Sequence, residues 1–205
     1  MVIAMMPPGH VAVAWGTAEL LQQNNSRLAR LDYRLLALAA LGPDIIDKPL
    51  AMLVFTASHT SQLVFHSLLI HAGLLALALL VWRRALPYVL AFNSHLIADR
   101  MWNHTETFWW PLFGWDTFWA FKFMNSPAAM AAVYWDIVTR YPQVWVVELL
   151  ALGYLCWFAA RRRLYRWQNM RQLLLTGILP SPQNISPAAL SAPDTRAPTP
   201  TKNPA

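Results

Sequence analysis

Long apolar runs, separated by short polar clusters, make up most of the chain. The segment from Pro49 to Trp82 contains no Asp, Glu, Lys or Arg, and its second half, Leu63–Trp82, is apolar at almost every position. A helix of about 20 mostly apolar residues is long enough to cross the ~30 Å hydrocarbon core of a bilayer. The pattern therefore predicts a membrane-spanning helix over Leu63–Trp82.

A second apolar run, Gln143–Ala160, contains one acid, Glu148, and stops at Arg161–Arg163. Arginines directly after an apolar run are typical of the point where a chain leaves the lipid. The run is therefore predicted to form a second spanning helix. The pattern over residues 118–140 is compatible both with crossing the membrane and with lying on it.

Three shorter apolar segments predict helices that pack against these two spans: Gly9–Gln22, Tyr33–Leu41 and Ala85–Arg100. Gly and Pro near their ends are helix stop signals. The fold class expected is therefore all-α, a helical membrane bundle of about five to seven helices, some of them short.

The chain changes character near its C-terminus. From Ile178 onward it is rich in Pro, Ser, Thr and Ala and has few residues to bury. Such a composition cannot offset the entropy of ordering the backbone, and it predicts a disordered tail over 178–205. Residues 1–177 are then one membrane-embedded domain.

Composition agrees with a membrane location and limits the chemistry. Hydrophobic residues make up 57% of the 205 positions and charged residues 13%, whereas a soluble domain carries about 25% charged residues. A water-soluble monomer is therefore not expected. Cys156 is the one cysteine, which excludes a disulfide framework and a multi-cysteine zinc site. Any metal must be held by His, Asp or Glu.

Basic clusters and His/Asp groups alternate along the chain. Arg83-Arg84 and Arg161–Arg163 follow the two long apolar runs, whereas His66 and the His95/Asp99 pair lie toward the other ends of their helices. If successive helices reverse direction, the arginines reach one face of the membrane and the His and Asp residues the other. The positive-inside tendency then predicts a cytoplasmic arginine face and a cytoplasmic C-terminus. No nucleic-acid motif accompanies the net charge of +6, so a membrane surface accounts for it and no nucleic-acid partner is expected.

The histidines and aspartates are candidate metal ligands. An ionisable side chain in an apolar helix is costly without a partner, and five histidines lie in or beside such helices: His10, His59, His66, His71 and His95. Each of them alone is as readily a hydrogen-bonded packing residue. The spacings of His95 with Asp99, and of Asp44 with Asp47, place each pair on one helix face. Two such pairs at one end of a bundle supply the mixed shell that zinc or manganese accepts.

Simpler roles compete for some of these residues. Asp44 follows Gly42-Pro43 and can be the N-cap of a helix, and Asp47 can form a surface ion pair with Lys48. Among the middle histidines His66 ranks first. His59, seven positions earlier, shares its face if the helix is continuous, whereas His71 is turned away from it by about 140°.

Residues 101–123 are dense in Trp and Phe and include His104, Glu106 and Asp116. This composition favours an aromatic belt at the membrane interface. The alternative is a lid over the site, in which the aromatic side chains hold a lipid chain or a sugar and one of the three polar residues moves protons.

Several short motifs occur in the order seen in one known family. They are Gly9-His10, Gly42-Pro43-Asp44 with Asp47, Phe65-His66-Ser67-Leu68-Leu69, Ser94-His95-Leu96-Ile97-Ala98-Asp99 and Trp110-Pro111-Leu112-Phe113-Gly114-Trp115. On these motifs, which span residues 9–115, the chain resembles the membrane-bound, metal-dependent hydrolases associated with the bacterial inner membrane. That family is more distantly similar to zinc-dependent phospholipase C.

The resemblance implies that His10, Asp44, His66, His95 and Asp99 bind divalent metal, with Asp47 as a further ligand. Zinc is the first expectation, with manganese and magnesium as alternatives. One motif departs from the family, whose members read His-Arg-Gly-x-Thr-His-Ser where this chain has Ser61-Gln62-Leu63-Val64-Phe65-His66-Ser67. The missing arginine leaves Lys48 and Arg100 as the nearest cations for a phosphate.

The function expected is hydrolysis of a phosphoester or related bond in a membrane lipid or lipid-linked substrate by metal-activated water. Asp47 is the expected general base, because Asp44 and Asp99 are the better ligand candidates. Three rival functions are compatible with the sequence: a non-catalytic membrane binding or scaffold protein, a divalent-cation transporter, and a haem protein with His66 and His95 as axial ligands.

Overall fold

The computed structural model describes residues 5–25, 28, 30–55, 60–115 and 127–180, and over these ranges the regular elements are helices. Nine α-helices follow one another within them: α1 (Pro7–Asn24), α2 (Tyr33–Ala40), α3 (Gly42–Leu53), α4 (Leu68–Leu80), α5 (Leu86–Ala98), α6 (Thr105–Phe108), α7 (Pro127–Arg140), α8 (Pro142–Arg161) and α9 (Trp167–Thr176). The all-α prediction is confirmed. The described ranges contain more helices than the about five to seven expected. The reason is that short helices such as α3, α6 and α9 have no long apolar run from which they could be predicted.

The break between α2 and α3 determines where two acids lie. α2 ends at Ala40, and α3 starts at Gly42 with Pro43 in its first turn, where a missing N–H costs nothing. Asp44 therefore lies in the first turn of α3 and Asp47 one turn later, so the pair opens a new helix rather than closing the previous one. A Cβ atom at Gly42 would lie 2.8 Å from the ring of Phe92, so glycine lets the start of α3 approach α5 closely.

The predicted spanning helix over Leu63–Trp82 is wrong in its length. α4 covers only Leu68–Leu80, 13 residues, or about 20 Å at ~1.5 Å per residue. Residues 64–66 form a separate 3₁₀ turn. The side chain of Ser67 accepts a hydrogen bond from the Ile70 N–H and caps α4. The extended backbone of Ser67 therefore separates this turn from α4, which begins only at Leu68 and is too short to span a bilayer.

The second predicted span is a continuous helix, α8. This helix has 20 residues and is the one helix in the described ranges that is long and apolar enough to cross a membrane. α7, directly before it, has 14 residues. Of residues 118–140, for which the sequence left open whether they cross the membrane or lie on it, Pro127–Arg140 form this short helix. Residues 118–126 lie outside the described ranges.

α1 and α8 run parallel and are joined at both ends by polar contacts. Glu148 of α8 accepts a hydrogen bond from the backbone N–H of Gly9 at 3.2 Å. Further along both helices, Arg162, just after α8, donates from Nη2 to Glu19 Oε1 at 2.9 Å. The two contacts are separated by ten residues on α1, about 15 Å. The start of α1, with His10, therefore lies at one end of the bundle, and the Glu19–Arg162 contact lies at the other. We call these the histidine end and the arginine end; the alternation along the sequence predicted this separation.

An aromatic cluster holds the middle of the bundle. The ring of Trp15 lies 5.7 Å from that of Tyr33 and 5.3 Å from that of Phe158, between centroids. Tyr33 and Phe158 are 1% and 0% exposed. Leu36 and Ala91 belong to the same buried cluster, which joins α1, α2, α5 and α8. This packing fixes the relative positions of the helix ends that carry the polar residues.

The packed chain continues past α9. Gly177 ends that helix with φ of +71°, a left-handed conformation that glycine adopts without strain. Beyond it Leu179 packs against the aromatic cluster, and the carbonyl oxygen of Pro180 accepts a hydrogen bond from Arg162 Nη1 at 3.4 Å. The chain is therefore packed to at least Pro180, and the remainder of the predicted tail, 181–205, lies outside the described residues.

Candidate metal centre

Two aspartates and two histidines from distant parts of the chain converge in one buried group. Its members are Asp44 of α3, His66 of the 3₁₀ turn, His95 of α5 and Asp99 directly after α5. One ligand atom from each lies within 4.8 Å of the others. Their exposed fractions are between 0% and 7%. We refer to these four residues as the Asp/His group.

The ligand atoms face one another at short range. His66 Nε2 and His95 Nε2 are 3.2 Å apart. Asp44 Oδ1 lies 3.5 Å from the first of these nitrogens and 3.7 Å from the second. Asp99 Oδ2 lies 3.5 Å from His95 Nε2. Four atoms that can act as acceptors therefore surround one small volume.

The hydrogen bonds on the far side of each imidazole assign its tautomer. His66 Nδ1 is 2.7 Å from a carboxylate oxygen of Asp47, and His95 Nδ1 is 2.8 Å from the carbonyl oxygen of Ala40. Both partners are acceptors, so both Nδ1 atoms carry hydrogen and donate. In the neutral rings each Nε2 then carries a lone pair, and the two lone pairs face each other. Such a contact is unfavourable unless a proton or a metal ion lies between the nitrogens.

Electrostatics also favour positive charge inside the Asp/His group. Burial alone would raise the pKa of Asp44, but hydrogen bonds from His66 and His95 hold it well below its usual range. For Asp99, too, burial acts to raise the pKa, and the neighbouring histidines hold it below its usual range. Burial lowers the pKa of His95, yet the two carboxylates raise it to about 9. The carboxylates stay ionised and attract a cation.

These observations fit a divalent metal ion. Imidazole nitrogens with lone pairs directed at one point, together with ionised carboxylates, form the donor set that zinc uses and that manganese accepts. The second hydrogen bond of each imidazole is the usual arrangement behind a metal-binding histidine. The described residues thus contain a buried group able to hold a metal.

Asp47 lies behind His66 rather than in the Asp/His group. It is 0% exposed, and its oxygens accept from the backbone N–H groups of Leu63 at 2.8 Å and Phe65 at 3.3 Å as well as from His66. All its contacts face away from the four converging atoms. The structure therefore places Asp47 where it orients the ring of His66, whereas the sequence predicted a direct ligand and general base.

His10 lies at the edge of the group. Its ring stacks on that of His95 with 3.9 Å between centroids, and its Nε2 lies 3.3 Å from Asp99 Oδ1. The same nitrogen is 3.1 Å from the carbonyl oxygen of Met5. Its other nitrogen, Nδ1, is buried and has no hydrogen-bond partner among the described residues. The predicted ligand His10 therefore contacts two members of the group. It contacts Asp99 through Nε2 and His95 through the face of its ring.

His71 is a hydrogen-bonded packing residue. Its Nδ1 lies 2.9 Å from the side-chain oxygen of Asn93, and its Nε2 lies 2.9 Å from the carbonyl oxygen of Phe65. Both contacts tie α4 to its neighbours and neither reaches the Asp/His group. The structure thus places His71, the lowest-ranked of the middle histidines, outside the group, whereas His59 lies outside the described residues.

Over its described part, residues 101–115, the aromatic segment contributes no further member to the group. His104 precedes α6 and Glu106 lies in its first turn, and neither is among the four convergent residues. Asp116, the third polar candidate of that segment, lies outside the described residues.

Lys48 and Gln62 each contact one of the two aspartates of the group. Lys48 Nζ lies 2.5 Å from Asp44 Oδ2, and the side chain of the lysine is 22% exposed. Gln62 Nε2 donates to Asp99 Oδ2 at 3.3 Å. Gln62 occupies the position at which the family motif has arginine, so its amide supplies a donor there without the charge. The sequence shows that the arginine is absent, whereas the contact of Gln62 with Asp99 is visible only in the structure.

Glu148 is the polar residue that the sequence interpretation left without a role. It lies in α8, is 7% exposed, and accepts hydrogen bonds from the start of α1. The sequence carried one signal for such a role: Glu148 is the single acid in the apolar run Gln143–Ala160, where an acid is costly unless it has a partner.

Comparison with known proteins identifies a family for this chain. A family model described as YdjM inner membrane protein matches residues 5–179 of the chain. No curated protein and no solved structure matches. The matched range includes all four members of the Asp/His group together with His10, Asp47 and Glu148.

Proposed function

We propose that this chain, which belongs to the YdjM inner membrane protein family, is a metal-dependent hydrolase of that membrane. The observation that carries the proposal is the 3.2 Å approach of His66 Nε2 to His95 Nε2, with both Nδ1 atoms engaged elsewhere. Such a pair is unfavourable unless a proton or a metal ion lies between the nitrogens, and the ionised carboxylates of Asp44 and Asp99 beside it favour a metal ion. Family membership itself establishes an inner-membrane protein and leaves the activity to be tested.

The residues that would hold the ion are Asp44, His66, His95 and Asp99. Zinc is our first assignment because it is borderline in character and accepts imidazole and carboxylate together. Manganese and magnesium are the alternatives. When bound, such an ion lowers the pKa of a coordinated water from about 15.7 toward 7 and neutralises charge that develops on a substrate oxygen.

The residues that surround the Asp/His group orient its imidazole rings, and we assign none of them to proton transfer. Asp47 keeps His66 in one tautomer, and the Ala40 carbonyl does the same for His95. Because three donors occupy the oxygens of Asp47, we assign it to orienting His66 and not to the general base. Lys48, partly exposed beside Asp44, is the cation best placed to attract a phosphate group.

A cavity of about 240 Å³ between α1, α2 and α5 supports a substrate with a hydrocarbon chain. Its lining is mainly leucine and alanine. Ala14 in this lining is four positions after His10 on α1, and Ala91 is four positions before His95 on α5. Residues four apart share a helix face, so these two lining residues lie one turn, about 6 Å along the helix axis, from His10 and His95. We therefore propose a lipid or lipid-linked phosphoester as the substrate class.

The decisive experiment combines metal analysis with an activity assay. Protein purified in detergent is analysed for bound metals and assayed with bis(4-nitrophenyl) phosphate before chelation, after chelation, and after zinc or manganese is restored. We expect bound metal and an activity that chelation abolishes and metal restores. Full activity after exhaustive chelation would refute the proposal.

The same preparation separates the rival functions. A scaffold protein would contain no metal, and the His95→Ala variant would lose only stability. A haem protein would show a Soret absorption band. A transporter would carry zinc or manganese into proteoliposomes without hydrolysing the phosphodiester.

A further inference from the structure

Glu148 supplies a helix cap to α1 from a different helix. Its Oε1 accepts from the N–H of Met6 at 2.7 Å and its Oε2 from the N–H of Gly9 at 3.2 Å. The first N–H groups of a helix have no partner within the helix. Pro7 and Pro8 have no N–H, and the N-cap Met6 makes no side-chain cap. The carboxylate of Glu148 therefore satisfies the N–H groups on both sides of the proline pair, and its charge lies favourably at the positive end of the helix dipole.

Glycine at position 9 leaves room for this close contact. A Cβ atom there would lie 2.9 Å from Glu148 Oε1 and would also overlap the side chain of Met5. α8 and the first turn of α1 are thus in direct contact. The position of this turn depends on where Glu148 lies.

The same turn carries the contacts to the Asp/His group. The N–H of Met5 donates to Asp99 Oδ1 at 3.0 Å, and the carbonyl oxygen of Met5 lies 3.1 Å from His10 Nε2. His10 in turn stacks on His95. The segment from Met5 to His10 is therefore held by Glu148 on one side and contacts two members of the group on the other.

We propose that Glu148 is a positioning residue that raises the metal affinity of the Asp/His group. By capping α1 it fixes Met5 and His10, and these two residues fix the orientations of Asp99 and His95. The inference rests on the proposed metal centre. It also assigns a purpose to a buried acid in the spanning helix, where an acid without function is costly.

The test compares two buried glutamates at opposite ends of the α1/α8 contact. Glu148→Gln keeps the shape of the side chain but directs an amide N–H at a backbone N–H. Glu19→Gln is the matched control, because Glu19 is also buried, at 5% exposure, and pairs with Arg162 away from the site. Zinc affinity is measured by competition with a chromogenic chelator, at a temperature well below the unfolding midpoints of all variants, which are recorded separately.

We expect Glu148→Gln to weaken zinc binding by about 10-fold or more, the usual effect of losing a group that orients ligands. Glu19→Gln should lower the unfolding midpoint and leave zinc affinity within twofold. Glu148→Asp, which keeps the charge and one of the two acceptor contacts, should recover part of the affinity and serves if the glutamine variant does not fold.

Three results would contradict this inference or its basis. Unchanged zinc affinity in Glu148→Gln and Glu148→Asp would overturn the role of Glu148 alone. An equal loss of affinity in Glu19→Gln would show that general destabilisation is responsible. A wild-type protein that binds neither zinc nor manganese would overturn the proposed metal centre and this inference with it.

Discussion

Asp47 and His66 form a buried carboxylate–imidazole pair, with 2.7 Å between Asp47 Oδ2 and His66 Nδ1 and both side chains 0% exposed. The same carboxylate accepts from the N–H groups of Leu63 and Phe65. One residue of α3 therefore fixes both the backbone turn that carries His66 and the direction of its ring. Such a carboxylate behind a histidine is a common partner of a metal ligand.

The Asp47→Asn variant should bind zinc about 10- to 100-fold more weakly than wild type, because it loses the charge that orients His66. The measurement is a zinc affinity by chelator competition, followed by the hydrolysis rate at saturating zinc. If Asp47 were instead the general base, the variant would keep its zinc affinity and lose its rate. Asp47→Ala should be less stable still, because two buried N–H groups would lose their acceptor, at about 1–3 kcal/mol each.

His95→Ala and Asp99→Ala should each lose most of the bound metal, since each removes one of four converging ligands. The matched control is His71→Ala, which removes a buried histidine whose contacts are with Asn93 and Phe65. This control should lower the unfolding midpoint and retain the wild-type metal content. Elemental analysis of the three variants beside wild type decides the matter, and equal metal loss in His71→Ala would contradict the assignment of the site.

Gly177→Ala should destabilise the arginine end of the bundle without affecting the metal centre. The residue has φ of +71°, and a Cβ atom there would overlap the carboxylate of Asp32. A left-handed non-glycine residue costs about 1–2 kcal/mol, and displacing the Asp32 cap adds about 1 kcal/mol. Gly73→Ala is the control, since a Cβ atom at that helical position meets no atom within 4 Å.

Thermal unfolding in detergent compares the two glycine variants. Gly73→Ala should be neutral or stabilising by up to about 1 kcal/mol, because alanine is the better helix former. Zinc affinity should be unchanged in both variants. A Gly177→Ala protein as stable as wild type would show that Asp32 and the α9 terminus are not held together as described.

Asp32 should make stability at the arginine end depend on pH. A hydrogen bond from the Arg34 side chain lowers the pKa of Asp32 below its usual value. A lowered folded-state pKa stabilises the protein above the unfolded pKa of about 3.9, and this contribution is lost as pH falls below that value. Asp32→Asn retains a capping side chain but lacks the charge, so its deficit in unfolding midpoint should shrink between pH 6 and pH 3. A deficit independent of pH would show that the ion pair contributes nothing.

The orientation in the membrane can be tested at the turn between α4 and α5. Arg84 is exposed there, and we predict that it faces the cytoplasm. The variant Arg84→Cys is made in a Cys156→Ser background, because Cys156 is free and exposed. An impermeant thiol reagent should label it only after the cells are opened. Labelling of intact cells would reverse the predicted topology, including the cytoplasmic C-terminus.

Sequence patterns predicted the helices that are long and apolar, and they failed where a polar residue acts through tertiary contacts. The run Gln143–Ala160 became α8 because apolar length alone selects a helix. The run Leu63–Trp82 has a similar composition, yet hydrogen bonds from the N–H groups of Leu63 and Phe65 to Asp47 hold a separate 3₁₀ turn, and the extended backbone of Ser67 separates that turn from α4. Those hydrogen bonds cross 16 and 18 residues of chain, which no local pattern records.

The sequence by itself determined the all-α class, the identity of α8 and the candidate residues Asp44, His66, His95 and Asp99, because helix periodicity and the cost of buried charge are local properties. Only the tertiary structure decided which of these candidates converge. It moved Asp47 behind His66, placed His10 at the edge, separated His71, and gave Glu148 a partner in α1. Each of these outcomes depends on distances of a few ångströms between different helices, and helix packing sets those distances.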